Sequence, residues 1–526
     1  MVRLGCRDAW PDPLGREEPA RPGRRVSGSS MDGPAVGISR ISVGVSGRRA
    51  IAMAAILGAT LAVAAPAAAR GPGFPSGTER VAAACATASR PASASGVSGV
   101  TRPAAATAVR PAAVGSATLV RDIDPTGSSG PRELTPFLGQ VVFTARDDAH
   151  GTELWITTAS SAVRLRDIAP GTANSRPSNL TVVGSTLFFI ADDGVHGREL
   201  WKTDGTTAGT RLVKDIRHGA KGSSPGNLTP FHGKLFLAAN DGIHGGELWK
   251  SDGTAVGTTL VTDIQSGNSL YSAGRYGTTK WAVFQDRLYF DASGSHGGLW
   301  RTDGSAGGTA RVAKKLYIEQ LVATSTRLYF MGAPDDGGCA LPGPYVYASD
   351  GSTAGTHVVE LNSPYGSLVA FHGRAWFGAN GSPPYRRLYR SAGTDATTGR
   401  VLPKIAVDDY TPIQAVGGML FLSQGGALTI SDGTGAGTAR LGDPGAGWRG
   451  RVNVVKLGSL WYFPGRDGSG DWELWQTDGT LLGTEVAAEA NAAGNGNVRS
   501  VVSAGGTVWF SADDGTHGQE LFRYVP

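Results

Sequence analysis

Short runs of consecutive apolar residues recur along most of the chain and are the first indication of its fold. In the clearest unit, residues 186–191 form such a run, preceded by a strand-like segment at 179–183. Two more segments of this kind follow at 198–202 and 211–216. A run that is apolar at successive positions is typical of a strand buried on both faces, and the Gly and Asp-Gly turns between the segments suit tight hairpins. Each unit is therefore predicted to contain four strands, and the domain to be all-β.

One position in the third strand of each unit fixes the length of the repeat. Successive anchors at this position are separated by roughly 46 residues, the period of a four-stranded propeller blade. Because a lone small sheet is marginal in water, such units must stack on one another. We therefore predict a β-propeller of about nine four-stranded blades. The nine anchors are Trp155, Trp201, Trp249, Trp300, Tyr347, Tyr389, Thr429, Trp475 and Phe522.

The two ends of the repeat region complement each other. The last unit ends after its third strand, at 519–525, whereas 117–123 reads as a fourth strand with no unit before it. We therefore expect this N-terminal strand to complete the last blade and close the ring, so that 117–526 forms a single, largely monomeric repeat domain.

The residues before the repeats resemble an export region. Residues 1–47 lack structural pattern, and Met31 is a candidate for the true start. Residues 48–69 combine paired Arg, an apolar stretch and a small-residue cleavage site, as an export signal does. The Ala/Pro/Ser-rich stretch 70–116 is predicted to be a disordered spacer. The mature chain is expected to be secreted or held at the cell surface, with no integral membrane segment, because the apolar stretch is short.

Charge and cysteine content exclude two classes of protein. Residues 1–69 hold 9 of the 49 basic and 5 of the 44 acidic residues, so the remainder carries 40 and 39 and is nearly neutral. This balance gives no electrostatic case for nucleic acid as a partner. The three cysteines, Cys6, Cys85 and Cys339, are too few and too scattered for a disulfide framework.

Two motif copies, residues 199–206 and 473–480, read Glu-Leu-Trp-x-x-Asp-Gly-Thr. They resemble the ELWxxDGT repeat of bacterial exported proteins, and the resemblance covers about 117–526. It is degraded in units four to seven, where the Glu position holds Gly298, Tyr345, Arg387 and Ala427. The resemblance implies a repeat protein at the cell surface and no settled activity.

The Asp-Gly-Thr turns allow a structural and a functional interpretation. Asp and Thr side chains commonly bond to their own backbone and fix a hairpin, and we expect this structural role here. A superficial likeness to the Asp-box of sialidase propellers is the alternative, although the aromatic residue precedes the turn in this chain. The representative turn residues are Asp204, Asp252 and Asp478.

Two sets of side chains recur once per unit and are the candidate ligand-binding residues. A His before the third strand is expected either to hydrogen-bond within its loop or to contribute to a rim of contacts for a polymer or an acidic partner. An Asp after the fourth strand either caps a turn or lines the ligand face. The His set is His150, His196, His244 and His517, with His296 as a further copy, and the Asp set is Asp122, Asp167, Asp215 and Asp263.

No cofactor is expected, although adjacent carboxylates leave calcium open. The pairs 147–148, 192–193 and 513–514 could supply oxygen ligands, but they lack the alternating spacing of a dedicated calcium loop. One His per unit cannot converge on one metal ion.

The sequence contains no nucleophile elbow, phosphate loop or zinc signature. We therefore expect a non-enzymatic binding or adhesion scaffold that faces the cell wall, an extracellular glycan or a protein. The alternative is a propeller-type polysaccharide hydrolase or lyase with its site in the irregular blades 4–7. In those blades the segments 271–281, 335–344 and 382–387 break the repeat pattern.

Overall fold

The described residues form nine sheets, each built on four antiparallel strands, and two of the sheets have a fifth strand; these sheets are the blades of a β-propeller. This result confirms the predicted fold class. Apart from strands and turns, the described residues contain a 3-10 helix at Asp395–Thr397. The structure is a computed structural model and describes residues 115–264, 281–292, 297–334, 344–360, 364–380, 386–401, 406–407, 413–424, 427–441, 453–467 and 469–526.

Two short strands precede blades 1 to 3, which follow the repeat most regularly. The strands before the blades are β1 (Gly115–Ser116) and β2 (Thr118–Arg121). Blade 1 contains β3 (Arg132–Phe137), β4 (Gln140–Asp147), β5 (Gly151–Thr157) and β6 (Ala162–Arg166). Blade 2 contains β7 (Ser178–Val183), β8 (Thr186–Asp192), β9 (Arg198–Thr203) and β10 (Arg211–Lys214). Blade 3 contains β11 (Gly226–Phe231), β12 (Lys234–Asn240), β13 (Gly246–Ser251) and β14 (Thr259–Thr262).

Blades 4 to 6 keep the same strand order although the motif is degraded. Blade 4 contains β15 (Trp281–Phe284), β16 (Arg287–Ala292), β17 (Gly298–Thr302) and β18 (Ala310–Lys314). Blade 5 contains β19 (Leu316–Ala323), β20 (Leu328–Pro334), β21 (Tyr345–Ser349) and β22 (His357–Glu360). Blade 6 contains β23 (Pro364–Phe371), β24 (Arg374–Asn380), β25 (Arg386–Ser391) and β26 (Gly399–Arg400), and β27 (Ala406–Val407) also pairs with β25.

Blades 7 to 9 complete the ring, and blades 8 and 9 include the two N-terminal strands. Blade 7 contains β28 (Gln414–Val416), β29 (Met419–Gln424), β30 (Ala427–Ser431) and β31 (Thr438–Arg440). Blade 8 contains β32 (Val455–Leu457), β33 (Leu460–Arg466), β34 (Trp472–Thr477) and β35 (Glu485–Glu489), to which β1 adds a parallel outer strand. Blade 9 contains β36 (Val501–Ala504), β37 (Thr507–Asp513) and β38 (Gln519–Tyr524), and β2 is its fourth strand.

The second strand of each blade forms the buried centre of the fold. One apolar residue at the same position in each of these strands is completely buried, and it lies directly opposite the anchor of the third strand, as in Phe189↔Trp201 and Phe463↔Trp475. Each large apolar side chain buried in this way stabilises the fold by about 1.5–3 kcal/mol. The completely buried residues are Phe143, Phe189, Leu237, Phe290, Phe330, Phe377, Leu422, Phe463 and Phe510.

The ring closes as the sequence predicts, through the N-terminal strand. β2 pairs antiparallel with β38, with Leu119 opposite Phe522. Val120 and Ile123 are buried in an apolar cluster that also contains Val141 and Phe143 of blade 1. The first and last parts of the domain therefore share one sheet and one core.

Basic side chains link the outer edges of neighbouring blades. The Arg121 guanidinium of blade 9 donates to the Ala162 carbonyl of blade 1 at 3.0 Å. The Arg166 guanidinium of blade 1 donates to Thr210 O of blade 2 at 2.9 Å. Lys214 Nζ of blade 2 continues the series to a carbonyl of blade 3. These repeated links hold the fourth strands in place relative to the next blade.

Strand direction sorts the loops into two faces. Because the strands of a blade alternate in direction, the turn between its second and third strands lies at the same end as the connection to the next blade. The other two turns lie at the opposite end. The recurring His and Asp candidates fall in the first group of loops, and the Asp-Gly-Thr turns fall in the second.

The predicted N-terminal segments lie outside the described residues, except that β1 begins at Gly115, two residues before the expected start of the repeat domain. The cysteines Cys6, Cys85 and Cys339 also lie outside them. In the part of the chain that the structure describes, no helix has the length and apolarity needed to span a membrane.

Candidate functional site on one face of the ring

The Asp-Gly-Thr turns lie on the far face of the ring, opposite the face that carries the His and Asp candidates. Their side chains have a structural role. Asp204 Oδ1 accepts hydrogen bonds from the Thr206 N–H and hydroxyl at 2.9 and 2.7 Å, and the Thr206 hydroxyl accepts from the Gly209 N–H. The Thr210 hydroxyl donates to the Thr206 carbonyl. Asp252 and Asp478 make the same contacts. The hydrogen bonds give these turns the hairpin-fixing role that their residue types favour.

The glycines of these turns are required by geometry. Gly205 has a φ of +92°, a conformation that L side chains rarely adopt. A Cβ on Gly209 would lie 2.0 Å from Asp204 Oδ1, so the turn has no room for a side chain there. Gly205 also lies against Phe137 and Ile156, so the turn of blade 2 packs on blade 1.

The His candidates form the same short-range pair in four blades. The imidazole Nδ1 of His196 lies 2.7 Å from Asp193 Oδ2, three residues earlier, and the His196 N–H donates to Asp193 Oδ1. We call the four segments with this pair the histidine loops: 147–150, 193–196, 241–244 and 514–517. The paired His side chains, His150, His196, His244 and His517, are 35–37 % exposed.

The arrangement of the pairs leaves a second ring nitrogen available. Because Nδ1 faces the Asp, Nε2 points away from the pair, and no described residue bonds to it in His196 or His244. The hydrogen bond that the imidazole donates to Asp193 raises the pKa of His196, and the negative charges of Asp193, Asp215 and Glu199 act in the same direction. The pKa values of His244 and His517 are raised for the same reason by Asp241 and Asp514.

The Asp partners show the opposite shift. Partial burial alone would raise the pKa of Asp193, but hydrogen bonds from the His196 N–H and imidazole outweigh it and hold the pKa below 3.8. The same balance lowers the pKa of Asp241 and Asp514. Each pair is therefore a preformed unit with an ionised carboxylate.

The Asp candidates lie on the connections between blades, beside the histidine loops. Asp215 is close enough to His196 to raise its pKa, and Asp122 and Asp263 act in the same way on His517 and His244. Among the described residues, one oxygen of Asp122, Asp167 and Asp215 is buried without a protein hydrogen-bond partner. In blade 2, Asp215 also pairs with His218 at 3.2 Å.

A buried Glu holds each regular connection in place. Glu199, which is completely buried, accepts hydrogen bonds from the Arg217 N–H and from the N–H and hydroxyl of Ser223. Glu520 holds the first connection similarly, through Ile123 N and Ser129. The set of completely buried motif glutamates is Glu153, Glu199, Glu247, Glu473 and Glu520.

Burial has a clear electrostatic consequence for these glutamates. Desolvation raises the pKa of Glu153 to about 7, although hydrogen bonds from Ser175, Ala169 and Ile168 oppose it. The pKa values of Glu199 and Glu520 are raised by the same cause. The motif Glu therefore holds the connection between blades through buried hydrogen bonds, and its carboxylate is not exposed to a partner.

This role of the Glu was not predicted from the sequence. The recurrence of Glu before Leu-Trp marked the repeat, but its hydrogen-bond partners lie 15–24 residues further along the chain for Glu153 and Glu199. A usable signal did exist. The Glu of blades 1, 2, 3, 8 and 9 lies inside an apolar strand, and a charged residue there requires a buried partner.

The adjacent carboxylates are already engaged within the protein. Asp147 pairs with His150 and, at 3.0 Å, with Arg164, while Asp148 pairs with Arg146 and Thr126. Over the described residues, no group of three or more His, Cys, Asp or Glu side chains is placed to hold a metal ion. The expectation of no cofactor, with calcium left open at these pairs, stays a prediction.

Several sequence candidates fall outside the described residues. His296 is one of them, as are residues 271–280, 335–343 and 382–385 of the irregular segments. Of the repeat anchors, Trp155, Trp201, Trp249, Trp475 and Phe522 are buried, and Trp300 is half-buried.

No family model matches the chain, and no curated protein is similar to it. Among solved structures it is similar to a prolyl endopeptidase, at 11 % identity and a TM-score of 0.38 over 64 % of this chain and 54 % of that one. A puromycin-hydrolyzing peptidase of Mycobacterium tuberculosis gives 13 % identity and a TM-score of 0.40 over 77 % of this chain and 61 % of that one.

A GH74 xyloglucanase from Xanthomonas campestris is also similar, at 15 % identity and a TM-score of 0.34 over 75 % of this chain and 65 % of that one. The chain thus covers less than two thirds of the length of each of these three proteins. At these identities and TM-scores the likeness says nothing about substrate or activity.

Proposed function

We propose that the protein is an exported, largely monomeric binding scaffold of the ELWxxDGT repeat type, which presents its histidine-loop face to a partner at the cell wall or in the extracellular medium. The histidine-loop face consists of the four histidine loops and the connections beside them. The propeller supplies the rigid support, and the exposed loops supply the contacts.

One observation carries this proposal. Blades 9, 1, 2 and 3 are neighbours in the closed ring, and each presents the same half-exposed Asp–His pair on the same face. An active site needs one singular arrangement of groups, whereas a binding surface for a repetitive partner gains from identical contacts at successive positions. The repetition therefore favours binding.

The hydrogen bonds that hold the loops of this face in place support the same conclusion. Buried glutamates fix the connections, and Asp–His hydrogen bonds fix the loops, so little conformational entropy is lost when a partner binds. Export rests on residues 48–69, whose pattern is that of a cleavable signal.

The test uses the full chain produced in an exporting bacterial host. Its presence in the medium or the surface fraction is measured first, and the exported protein is then mixed with washed cell-wall material, soluble glycans and secreted proteins. We expect saturable binding without release of products. Cleaved sugar would instead favour the hydrolase alternative, and retention of the protein in the cytoplasm would contradict export.

A further inference from the structure

We infer that the histidine-loop face binds an uncharged, linear polysaccharide that runs along the arc of blades 9, 1, 2 and 3, with one sugar contact per blade. This inference rests on the proposed function and adds the chemical class of the ligand and its direction along the face.

Several acidic side chains of the face are paired within the protein. In blade 1, Asp147 is paired with His150 and Arg164, and Asp148 is paired with Arg146. In blade 2, Asp193 is paired with His196. A polyanion would meet these carboxylates and a polycation would meet the paired imidazoles, so each would bring together like charges. An uncharged partner meets neither conflict.

The groups that stay accessible are hydrogen-bonding groups of both kinds. The Nε2 atom of each paired His accepts a hydrogen bond when the ring is neutral and donates one when the ring is protonated. A sugar hydroxyl can both donate and accept, so it satisfies this set in either protonation state of the His.

Exposed aliphatic side chains complete the chemistry in two of the four loops. Val195 lies directly before His196 and is 64 % exposed, and Ile243 lies directly before His244 and is 79 % exposed. An apolar side chain beside a hydrogen-bonding ring can cover the C–H surface of a sugar, which removes apolar area from water. Ala149 and Thr516 occupy this position in blades 1 and 9.

The repetition implies a polymer. Four equivalent contacts on successive blades bind weakly one at a time, but a chain that engages several of them gains effective concentration from the first contact. The ligand therefore follows the ring rather than entering the central axis, and its affinity grows with the number of blades that it spans.

The experiment measures binding of the full chain to dextran, mixed-linkage β-glucan and galactomannan, with polygalacturonate and chitosan as charged probes. At least one uncharged probe is expected to bind, with an affinity that changes by less than about twofold between low and high salt because no charge is exchanged. Binding should strengthen with oligosaccharide length. Binding of only a charged probe, or of none, would overturn the ligand class.

Variants locate the site. His196→Ala is expected to weaken binding about 2- to 10-fold, the loss of one net hydrogen bond. Combining it with the same change at His150, His244 and His517 should weaken binding by more than about 20-fold. His232→Ala is the matched control, because His232 is an exposed His paired with Asp286 on the opposite face. Melting temperatures equal to that of the unaltered chain exclude unfolding as the cause.

The outcomes separate this inference from the proposed function. Loss of binding to a charged polymer or a protein in the four-His variant would keep the scaffold function and overturn the uncharged ligand. Unchanged binding of a polysaccharide by that variant would place the ligand elsewhere and overturn the face itself. The length series uses the unaltered chain and tests the polymer contact independently of any variant.

Discussion

The Nδ1 atom of His196 lies 2.7 Å from Oδ2 of Asp193, three residues before it in the same turn. This distance corresponds to a short, charge-assisted hydrogen bond when the imidazole is protonated. The same Asp–His pair, with the two residues three positions apart, recurs in blades 9, 1 and 3. It is therefore the repeated chemical feature of this face. Asp193 both shapes the loop and sets the protonation of the exposed imidazole.

Replacing Asp193 should change the titration of His196. Asp193→Asn removes the charge and the strong acceptor, so the pKa of His196 should fall toward its ordinary value of 6.5. The pKa is measured by NMR titration of the imidazole. Asp192→Asn is the matched control, since Asp192 bonds to the Gly194 N–H and not to the imidazole. An unshifted His196 in Asp193→Asn would contradict the pairing.

The same pair gives stability a defined pH window. The raised pKa of His196 means that its contribution is complete below pH 6.5 and is lost as the pH rises through that raised value. The lowered pKa of Asp193 means that its contribution is complete above pH 3.8 and is lost as the pH falls through that lowered value. Chemical denaturation across pH should therefore show the Asp193→Asn variant losing most stability, relative to the unaltered chain, between about pH 4 and pH 6.5.

The contribution of the buried Glu153 to stability should change with pH in the direction opposite to that of Asp193. Its pKa is raised from 4.5 to about 7, so its contribution is complete below pH 4.5 and is lost as the pH rises through about 7. Glu153→Gln should remove this slope and also cost about 1–3 kcal/mol, because an amide cannot accept all three hydrogen bonds. Equilibrium unfolding at pH 5 and pH 8 measures both effects. Glu133→Gln, at an exposed carboxylate of the same blade, should leave the slope unchanged.

The stability of the Asp-Gly-Thr turn on the far face should depend on the Asp204 carboxylate. Asp204→Ala removes the acceptor of two hydrogen bonds and should lower the free energy of unfolding by about 1–2 kcal/mol. Binding at the histidine-loop face should not change, because the turn lies at the other end of the blade. A loss of binding without a loss of stability would mean that the Asp-Gly-Thr turn contacts the partner.

Ring closure should depend on Val120. Val120→Asp places a carboxylate in the apolar cluster between blades 9 and 1 and should cost about 3 kcal/mol or more. Limited proteolysis should then cut in the connection 122–131. Thr118→Asp is the matched control, since Thr118 is exposed on the same strand. Equal melting temperatures for the two variants would show that β2 does not close the ring.

The sequence predicted the parts of the fold that repeat locally. The anchor column placed Trp201 in the third strand of its blade, and the unmatched strand at 117–123 predicted the pairing of β2 with β38. The Asp-Gly-Thr turn was predictable because the hydrogen bonds of Asp204 and Thr206 join residues at most four positions apart. Local patterns carry local hydrogen bonds.

The rest depended on contacts that spacing does not reveal. The role of Glu520 requires Ser129, at the other end of the domain, and only the closed ring brings the two together. The proximity of Asp215 to His196 likewise follows from strand pairing within blade 2. The recurrence of both residues was visible in the sequence, but their shared face was not.

The most direct test of the account is a hydrogen-exchange map of the full chain, free and bound to the cell-wall material or glycan that retains it. The account predicts slower exchange in residues 147–150, 193–196, 241–244 and 514–517 and in the connections beside them, with no change in the Asp-Gly-Thr turns. Protection confined to those turns or to blades 4–7 would contradict the claim that the histidine-loop face is the binding surface.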